Sequence, residues 1–169
     1  MLRRHVYIWE PNAVPGMANR ILAPWVEESL VVFTEALKQM NPRKFFQVGM
    51  PVRAAIEGIQ FAKRDTKGPL RVLIFGGSQG SMALNTVISN AIIYGGEWLN
   101  EVEIVHQTGS ADYARISAVY QGLSYPIEVR EYLHDMDQRY KWADLVVCRS
   151  GTGTLSELAA SAKASILVP

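Results

Sequence analysis

The sequence predicts an α/β fold in which parallel strands form a sheet that helices cover on both faces. Two observations lead to this prediction. Short runs rich in β-branched and aromatic residues alternate along the chain with helix-like stretches, which is the order of repeated βαβ units. Several of the strand runs, including VLIF at 72–75 and LVV at 145–147, are apolar without interruption, as in strands buried on both faces. We therefore expect a doubly wound architecture.

The predicted elements follow one another in a regular order. The strand runs are HVYIW (5–9), SLVVF (29–33), KFFQV (44–48), LRVLIF (70–75), VEIVHQ (102–107), IEVREY (127–132), DLVVC (144–148) and SILVP (165–169). The helix-like stretches are residues 17–23, 34–40, 82–94, 112–121, 136–142 and 155–162.

A change of composition divides the chain. Residues 57–70, EGIQFAKRDTKGPL, are polar and charged and contain glycine and proline, so they predict a linker or long loop. A fresh series of βα units begins after them. Because the first strand run starts close to the N-terminus and the last ends at the C-terminus, we also expect an architecture that is incomplete at both ends.

Composition and charge exclude several classes of protein. The chain has 169 residues, of which 49% are hydrophobic and 20% charged, with a formal net charge of +1. A charge so near neutrality gives no bulk attraction to nucleic acid. No stretch approaches the roughly 20 apolar residues that span a bilayer. The single cysteine, Cys148, lies in an apolar run and predicts a buried side chain, and the three scattered histidines give no metal-site spacing.

The first candidate binding turn is VLIFGGSQGSMALN, at the end of the fourth predicted strand. Strand, glycine-rich turn and helix follow one another here, which is the layout that presents backbone N–H groups and a helix N-terminus to an anion. Gly76, Gly77 and Gly80 permit close approach and positive φ angles, and Ser78 and Gln79 add side-chain hydrogen bonds. The spacing matches neither G-x-G-x-x-G nor a P-loop. The turn therefore predicts contact with a phosphate or nucleotide, or else a tight βα turn in which glycine serves geometry alone.

The second candidate is VVCRSGTGTLSE, where the seventh predicted strand gives way to a helix. Thr154 and Glu157 have the spacing of a capping box, in which Glu157 bonds back to the start of its own helix. Alternatively, Glu157 accepts hydrogen bonds from ribose hydroxyls, as an acidic residue does in other α/β nucleotide folds. A nucleophilic Ser150 would need a neighbouring base, and no G-x-S-x-G elbow surrounds it. These residues leave the phosphate cradle and the helix cap open and disfavour the nucleophile.

Two further turns give weaker signals. WEPNAVPGMANR places Asn12 in a turn stiffened by proline, which would serve equally as a plain strand-to-helix connection. In VGMPVR a strand ends, a proline bends the chain and Arg53 follows, which suits either contact with a phosphate or an ordinary surface charge.

Taken together, these motifs resemble the MurG family of bacterial transferases, in glycosyltransferase family 28. The resemblance extends from about Trp9 to Pro169 through NAVPGMANR, GMPVR, FGGSQGSMALN, EYLHDMDQRYKWADLVVCRSG, LSELAA and ILVP. It implies a GT-B fold, in which two Rossmann-like halves face each other across the active site. Residues 1–52 would then be the tail of the N-terminal, acceptor-side half. Residues 53–169, with a loop at 58–69, would form part of the C-terminal half, which binds the donor.

The resemblance also implies roles for particular residues toward the donor, UDP-N-acetylglucosamine (UDP-GlcNAc). The diphosphate would lie near Arg53, Gly76, Gly77, Ser78 and Gln79, the uracil near Leu133, and the diphosphate and nucleoside together near Thr152, Gly153 and Thr154. Glu157 would hold the ribose, and Asn12 would lie near the GlcNAc. Glu10 is the one carboxylate that is a candidate general base.

The chain departs from the family pattern in several places. It has WEPN where the family usually has His-Glu-Gln-Asn, and Thr152-Gly153-Thr154 where the family usually has Ala-Leu-Thr. An N-terminal glycine-rich loop that ends in histidine and a Gln pair beyond the last strand are also missing from this sequence.

The function implied is transfer of GlcNAc from UDP-GlcNAc to the muramyl 4-hydroxyl of lipid I, with inversion, which makes lipid II for peptidoglycan. No cofactor, essential metal or nucleic acid is implied, and the enzyme would act at the cytoplasmic face of the bacterial inner membrane. The chain alone would then be a soluble, cytoplasmic fragment. Two alternatives are a donor-binding module whose acceptor half is a separate partner, and an inactive remnant.

Overall fold

The computed structural model describes residues 4–59 and 67–169, and it divides the chain into two compact units, Met1–Pro51 and Val52–Pro169. Each unit contains one sheet, and all of the strand pairs described are parallel. The predicted α/β class is therefore confirmed. Of the predicted loop at 58–69, residues 60–66 lie outside the described residues.

The first unit is a small three-stranded sheet. Its elements are β1 (Tyr7–Glu10), α1 (Met17–Leu22), β2 (Glu28–Val31), a 3₁₀ helix (Thr34–Lys38) and β3 (Phe45–Gln47), and the strand order is β1-β2-β3. Buried apolar side chains from these elements and their loops form a core, namely Ile8, Ala23, Val26, Ala36 and Met40. The predicted helix at 34–40 is thus a short 3₁₀ helix without a side-chain cap, and it buries only Ala36.

The second unit holds a five-stranded sheet. Its elements are α2 (Ala54–Glu57), β4 (Leu70–Phe75), α3 (Met82–Ile93), a 3₁₀ helix (Glu97–Glu101), β5 (Val102–Gln107), α4 (Tyr113–Tyr120), β6 (Ile127–Arg130), α5 (Met136–Trp142), β7 (Leu145–Arg149), α6 (Thr152–Ala160) and β8 (Ala164–Val168). The strand order is β6-β5-β4-β7-β8, so β4 lies in the centre and the chain reverses its direction of winding between β4 and β7. In open α/β sheets ligands bind beyond the carboxyl ends of the strands at such a reversal.

Both faces of the central strand are buried, as its apolar sequence predicts. Leu73 and Phe75 point into one hydrophobic core, and Val72 and Ile74 point into the other. Successive side chains of a strand alternate between faces, so a strand covered on both sides must be apolar throughout. Cys148 on the neighbouring strand β7 is also fully buried, and burial raises the pKa of its thiol to about 11. It is a packing residue rather than a reactive thiol.

Candidate functional site

A cavity of about 160 Å³ opens where the strands of the second unit end. Its lining consists of Arg53, Phe75, Gly77, Ser78, Gln107, Tyr132, Leu133, Met136, Thr154 and Glu157. The carboxyl ends of β4, β5 and β6 and the first two turns of α6 therefore meet at one place. Six residues that the sequence predicted separately line it, namely Arg53, Gly77, Ser78, Leu133, Thr154 and Glu157.

The glycine turn after β4 owes its shape to close backbone contact. Gly80 has a φ of +76°, and a Cβ added to it would lie 2.0 Å from the carbonyl oxygen of Thr108. Gly109, after β5, has a φ of +79°, and its Cβ would lie 2.1 Å from the carbonyl oxygen of Gln79. The two turns therefore pack back to back, and only glycine fits at either position. Gly77 differs, because its φ is +89° but a Cβ there would meet nothing within 4 Å.

Two residues that the sequence did not single out hold the glycine turn. Gln107, at the end of β5, is buried and donates its side-chain N–H to the carbonyls of Gly77 (3.1 Å) and Glu131 (3.3 Å). Arg149, at the end of β7, donates to the hydroxyl of Ser81 (3.4 Å), and that hydroxyl also caps α3. Their positions at the carboxyl ends of strands were the available signal. Arg149 adds a cation beside the glycine turn.

Helix α6 begins at Thr152, three residues earlier than predicted, and this overturns the capping box. Its N-cap is Gly151, which makes no side-chain cap. Thr154 therefore has helical backbone inside the first turn, and Glu157 lies too far along the helix to bond back to its start. The first turn of a helix has N–H groups without intrahelical acceptors and carries the positive end of the helix dipole. The amides of Gly153 and Thr154 are in that turn, and Thr154 lines the cavity.

The carboxylate of Glu157 is held from two sides. Its Oε1 accepts hydrogen bonds from Arg53 Nε (3.2 Å) and Nη2 (2.9 Å), and its Oε2 accepts one from the Tyr140 hydroxyl (3.1 Å). The Glu157 side chain is 20% exposed and that of Arg53 is 56% exposed, so the carboxylate lies in the cavity wall and the guanidinium lies in solvent. Burial, together with the charge of Glu157, raises the pKa of Tyr140 well above its usual range, so this tyrosine is a neutral donor.

Another part of the cavity wall is apolar and aromatic. Leu133 is buried, and it packs in the same core as Phe75 and Met136. Tyr132 beside it is 49% exposed, and its ring lies 4.8 Å from that of His134. This wall provides an apolar surface against which a planar nucleobase can pack.

A buried polar network lies behind the two packed turns. His106 is fully buried, with Nδ1 3.0 Å from the Tyr120 hydroxyl and Nε2 3.1 Å from Oδ1 of Asn85. Asn85 donates its own N–H groups to the carbonyl of Thr108 (2.9 Å) and to Asp112 (2.8 Å), so its oxygen must face an N–H. His106 is therefore the neutral tautomer protonated on Nε2, and burial lowers its pKa to about 4.

Glu10, in the first unit, serves its own loop. This buried carboxylate accepts hydrogen bonds from the backbone N–H of Asn12 (2.9 Å) and Gly16 (2.9 Å) and from the side chains of Asn12 (3.1 Å) and Asn19 (3.0 Å). Burial raises its pKa, but the hydrogen bonds from Asn19, Asn12 and Gly16 outweigh burial, and the net effect is a lowered pKa. A lowered pKa and four donors make it a poor general base. Asn12, predicted near the GlcNAc, is part of the same loop network.

Within residues 4–59 and 67–169, no three His, Cys, Asp or Glu side chains come together in a way that could hold a metal ion. None of the helices described in those ranges has the length and apolar character needed to cross a bilayer.

The fold and this site together define a Rossmann-type domain of the kind that binds nucleotides at the carboxyl edge of its sheet. Residues 71–169 match the glycosyltransferase family 28 C-terminal domain, and the chain belongs to that family. The sequence resemblance is thereby confirmed.

Similar proteins agree with this assignment. The chain is 43% identical over 162 residues to the UDP-N-acetylglucosamine–N-acetylmuramyl-(pentapeptide) pyrophosphoryl-undecaprenol N-acetylglucosamine transferase of Bdellovibrio bacteriovorus, covering 96% of this chain and 45% of that protein. It is 38% identical to the transferase of the same name from Anaeromyxobacter dehalogenans, of which it covers 42%. The crystal structure of Acinetobacter baumannii MurG matches 96% of the chain with a TM-score of 0.68 and 29% identity, over 45% of its own length. The chain thus spans less than half the length of these relatives.

Proposed function

We propose that this chain is part of an inverting hexosyltransferase that moves GlcNAc from UDP-GlcNAc to lipid I, making lipid II. In this proposal the second unit binds the UDP portion of the donor. One observation carries the proposal: the glycine turn, the N-terminus of α6 and the carboxylate of Glu157 converge on a single cavity. The names of the similar transferases identify the donor sugar and the lipid-linked acceptor that we propose here.

The diphosphate would lie between the glycine turn and α6. Gly77 leaves open space, Ser78 lines the cavity, and the first-turn amides of Gly153 and Thr154 supply N–H donors at the positive end of the helix. The same two backbone segments include Gly76, Gln79 and Thr152. We propose that these residues also contact the UDP-GlcNAc. The exposed guanidinium of Arg53 belongs to the cavity lining, and we expect it to reach the phosphates by rotation of its side chain.

The nucleoside would lie across the cavity from the phosphates. Leu133 and the neighbouring apolar wall would contact the uracil, and Glu157 would accept hydrogen bonds from the ribose hydroxyls. Glu157 Oε1 holds Arg53 in this structure. We expect ribose to replace Arg53 on this oxygen while the guanidinium turns to the diphosphate, so that every charged group keeps a partner of opposite polarity.

This arrangement would assist departure of the leaving group. As the bond between the anomeric carbon and the diphosphate breaks, its electron pair moves to a β-phosphate oxygen, and the acceptor 4-hydroxyl forms the new bond from the opposite face. Fixed N–H donors, the α6 dipole and the guanidinium of Arg53 would stabilise the growing negative charge. The acceptor proton needs a base, and the hydrogen bonding of Glu10 does not favour that carboxylate for the task.

The remaining assignments complete the proposal. Residues 1–52 would belong to the acceptor-side half, with Asn12 near the GlcNAc, and residues 53–169 would belong to the donor half. The complete enzyme would act as a peripheral protein at the cytoplasmic face of the bacterial inner membrane, without an essential metal or cofactor. If a separate subunit supplies the acceptor half, the same cavity serves as a donor-binding module, since all of its lining residues lie in one unit.

Calorimetric titration of the full chain with UDP and with UDP-GlcNAc tests the proposal. We expect saturable binding of both, and Glu157→Gln should weaken UDP binding roughly tenfold or more, because hydrogen bonds to a charged group contribute about 1.5–3 kcal/mol. Glutamine keeps an acceptor for the buried Tyr140 hydroxyl, so the fold is preserved. Glu128→Gln is the matched control, because Glu128 pairs with Arg139 and does not line the cavity. Absence of heat at millimolar UDP, or equal weakening by both variants, would refute the donor site.

A further inference from the structure

Tyr140 is a buried residue whose one polar atom points at the candidate site. Its side chain is fully buried on α5, and its hydroxyl donates to Glu157 Oε2 at 3.1 Å. Its ring packs edge-to-face on Phe75, with centroids 6.3 Å apart and an interplanar angle of 78°. Phe75 is the last residue of β4, directly before the glycine turn. One side chain therefore connects the carboxylate on α6 to the strand that carries the glycine turn.

The two oxygens of Glu157 have different surroundings. Oε2 is bonded to a fully buried hydroxyl on a packed ring, whereas Oε1 is bonded to a guanidinium on a side chain that is 56% exposed. A phenol O–H has one proton to donate, and a buried donor without an acceptor is costly, so the bond to Oε2 is the durable one. The exposed Arg53 is the partner that a ligand can replace.

We infer that Tyr140 is a positioning residue for the sugar-nucleotide site: it fixes Oε2 of Glu157 and thereby aims Oε1 at the ribose hydroxyls of the bound nucleotide. This inference rests on the proposed function, in which Glu157 holds the ribose. Tyr140 acts through Glu157 and has no contact with the ligand of its own. Its removal should therefore affect only the part of the binding that depends on the ribose hydroxyls.

The test compares UDP with its 2′,3′-dideoxy analogue, which lacks the two ribose hydroxyls. We expect the wild-type chain to bind UDP at least tenfold more tightly than the analogue. Tyr140→Phe should weaken UDP binding about fivefold to tenfold and change binding of the analogue less than twofold. In the Glu157→Gln background, Tyr140→Phe should have little further effect on UDP, since the two residues act as one unit.

Two additional variants separate positioning from packing. Tyr120→Phe removes the hydroxyl of another buried tyrosine, which is bonded to His106 rather than to Glu157, and it should leave the preference for UDP over the analogue unchanged. Tyr140→4-aminophenylalanine restores a donor at the same place and should restore the preference. Thermal melting of each variant records any loss of stability.

The outcomes distinguish the inference from the proposal beneath it. If the wild-type chain binds no UDP, the proposed donor site is wrong and the inference falls with it. If the wild-type chain prefers UDP but Tyr140→Phe weakens both ligands equally or neither, the donor site stands and Tyr140 is only a packing residue. The same conclusion follows if the 4-aminophenylalanine variant does not recover the preference.

Discussion

Replacement of Gly80 by alanine tests the packing of the two turns that shape the site. Gly80 has a φ of +76°, and its new Cβ would lie 2.0 Å from the carbonyl oxygen of Thr108 and 2.6 Å from the carbonyl carbon. Both atoms are backbone, so no side-chain rotation relieves the clash. The Thr108 oxygen also accepts the hydrogen bond from Asn85 at 2.9 Å, which ties it to the buried network of His106.

The expected destabilisation is the sum of two effects. A residue that has a Cβ is about 1–2 kcal/mol less stable in the left-handed conformation. The new Cβ also forces the two turns apart by more than an ångström. Such overpacking of a protein interior costs about 1–3 kcal/mol in addition. We therefore expect a loss of about 3 kcal/mol, which for a chain of this length lowers the melting temperature by roughly 6–12 °C.

Two other glycines provide graded controls for this measurement. Gly77→Ala has the positive φ of +89° without a clash and should lose only about 1–2 kcal/mol. Gly49→Ala has neither and should melt within a degree or so of the wild type. Urea unfolding and thermal melting should give the order Gly49, Gly77, Gly80 from least to most destabilised. A Gly80→Ala variant as stable as Gly49→Ala would refute the back-to-back packing of the turns.

Two predictions concern pH. Because His106 is buried and its pKa is lowered to about 4, the folded state binds fewer protons than the unfolded state between about pH 6.5 and pH 4. The free energy of unfolding should therefore fall by roughly 2 kcal/mol from pH 7 to pH 5. In urea unfolding, His106→Gln should remove this pH dependence. Glu10 has a lowered pKa, so its carboxylate stabilises the fold above about pH 4, and this stabilisation is lost as the carboxylate is protonated. The difference in free energy of unfolding between wild type and Glu10→Gln should therefore shrink as the pH is lowered from 7 to 3.

Opposite slopes would contradict these assignments. An unchanged slope in His106→Gln would mean that another group titrates, and a wild-type advantage over Glu10→Gln that grows in acid would mean that the Glu10 carboxylate is unfavourable in the fold. His5→Gln is a control of the same kind, because His5 is exposed and is hydrogen-bonded to Glu27 rather than to the network of His106.

The fold was predictable because the sequence pattern is governed by burial. The strand LRVLIF was bounded correctly, because its residues 72–75 are buried on both faces of the sheet and are apolar without interruption. The helix at 136–142 was also bounded correctly. The four-residue helix α2 was missed, because one turn is too short to show a helical period. The start of α6 was misplaced because Gly151 replaces the polar N-cap that usually marks a helix start.

The candidate site was predictable only in part. Local signals at strand ends predicted five of the residues that line the cavity, namely Arg53, Gly77, Ser78, Thr154 and Glu157, and Leu133 was predicted only from the family resemblance. Gln107 and Arg149 gave only their positions at the carboxyl ends of strands as a signal, and Tyr140 gave none, because each of the three acts on a partner distant in the sequence. The capping box was wrong for the same reason: the local Thr-x-x-Glu spacing is real, but the contacts to Arg53 and Tyr140 determine where the Glu157 carboxylate lies.

The central claim is that one site in the second unit binds a nucleoside diphosphate between the glycine turn and α6. Amide chemical-shift mapping of the ¹⁵N-labelled full chain during titration with UDP tests it most directly. We predict that the largest saturable shifts occur at Gly77, Ser78, Gly153 and Thr154, with smaller ones around Leu133. Shifts concentrated instead at the cavity of about 440 Å³ that includes Arg4, Trp25 and Arg43, or no saturable shifts, would contradict the claim.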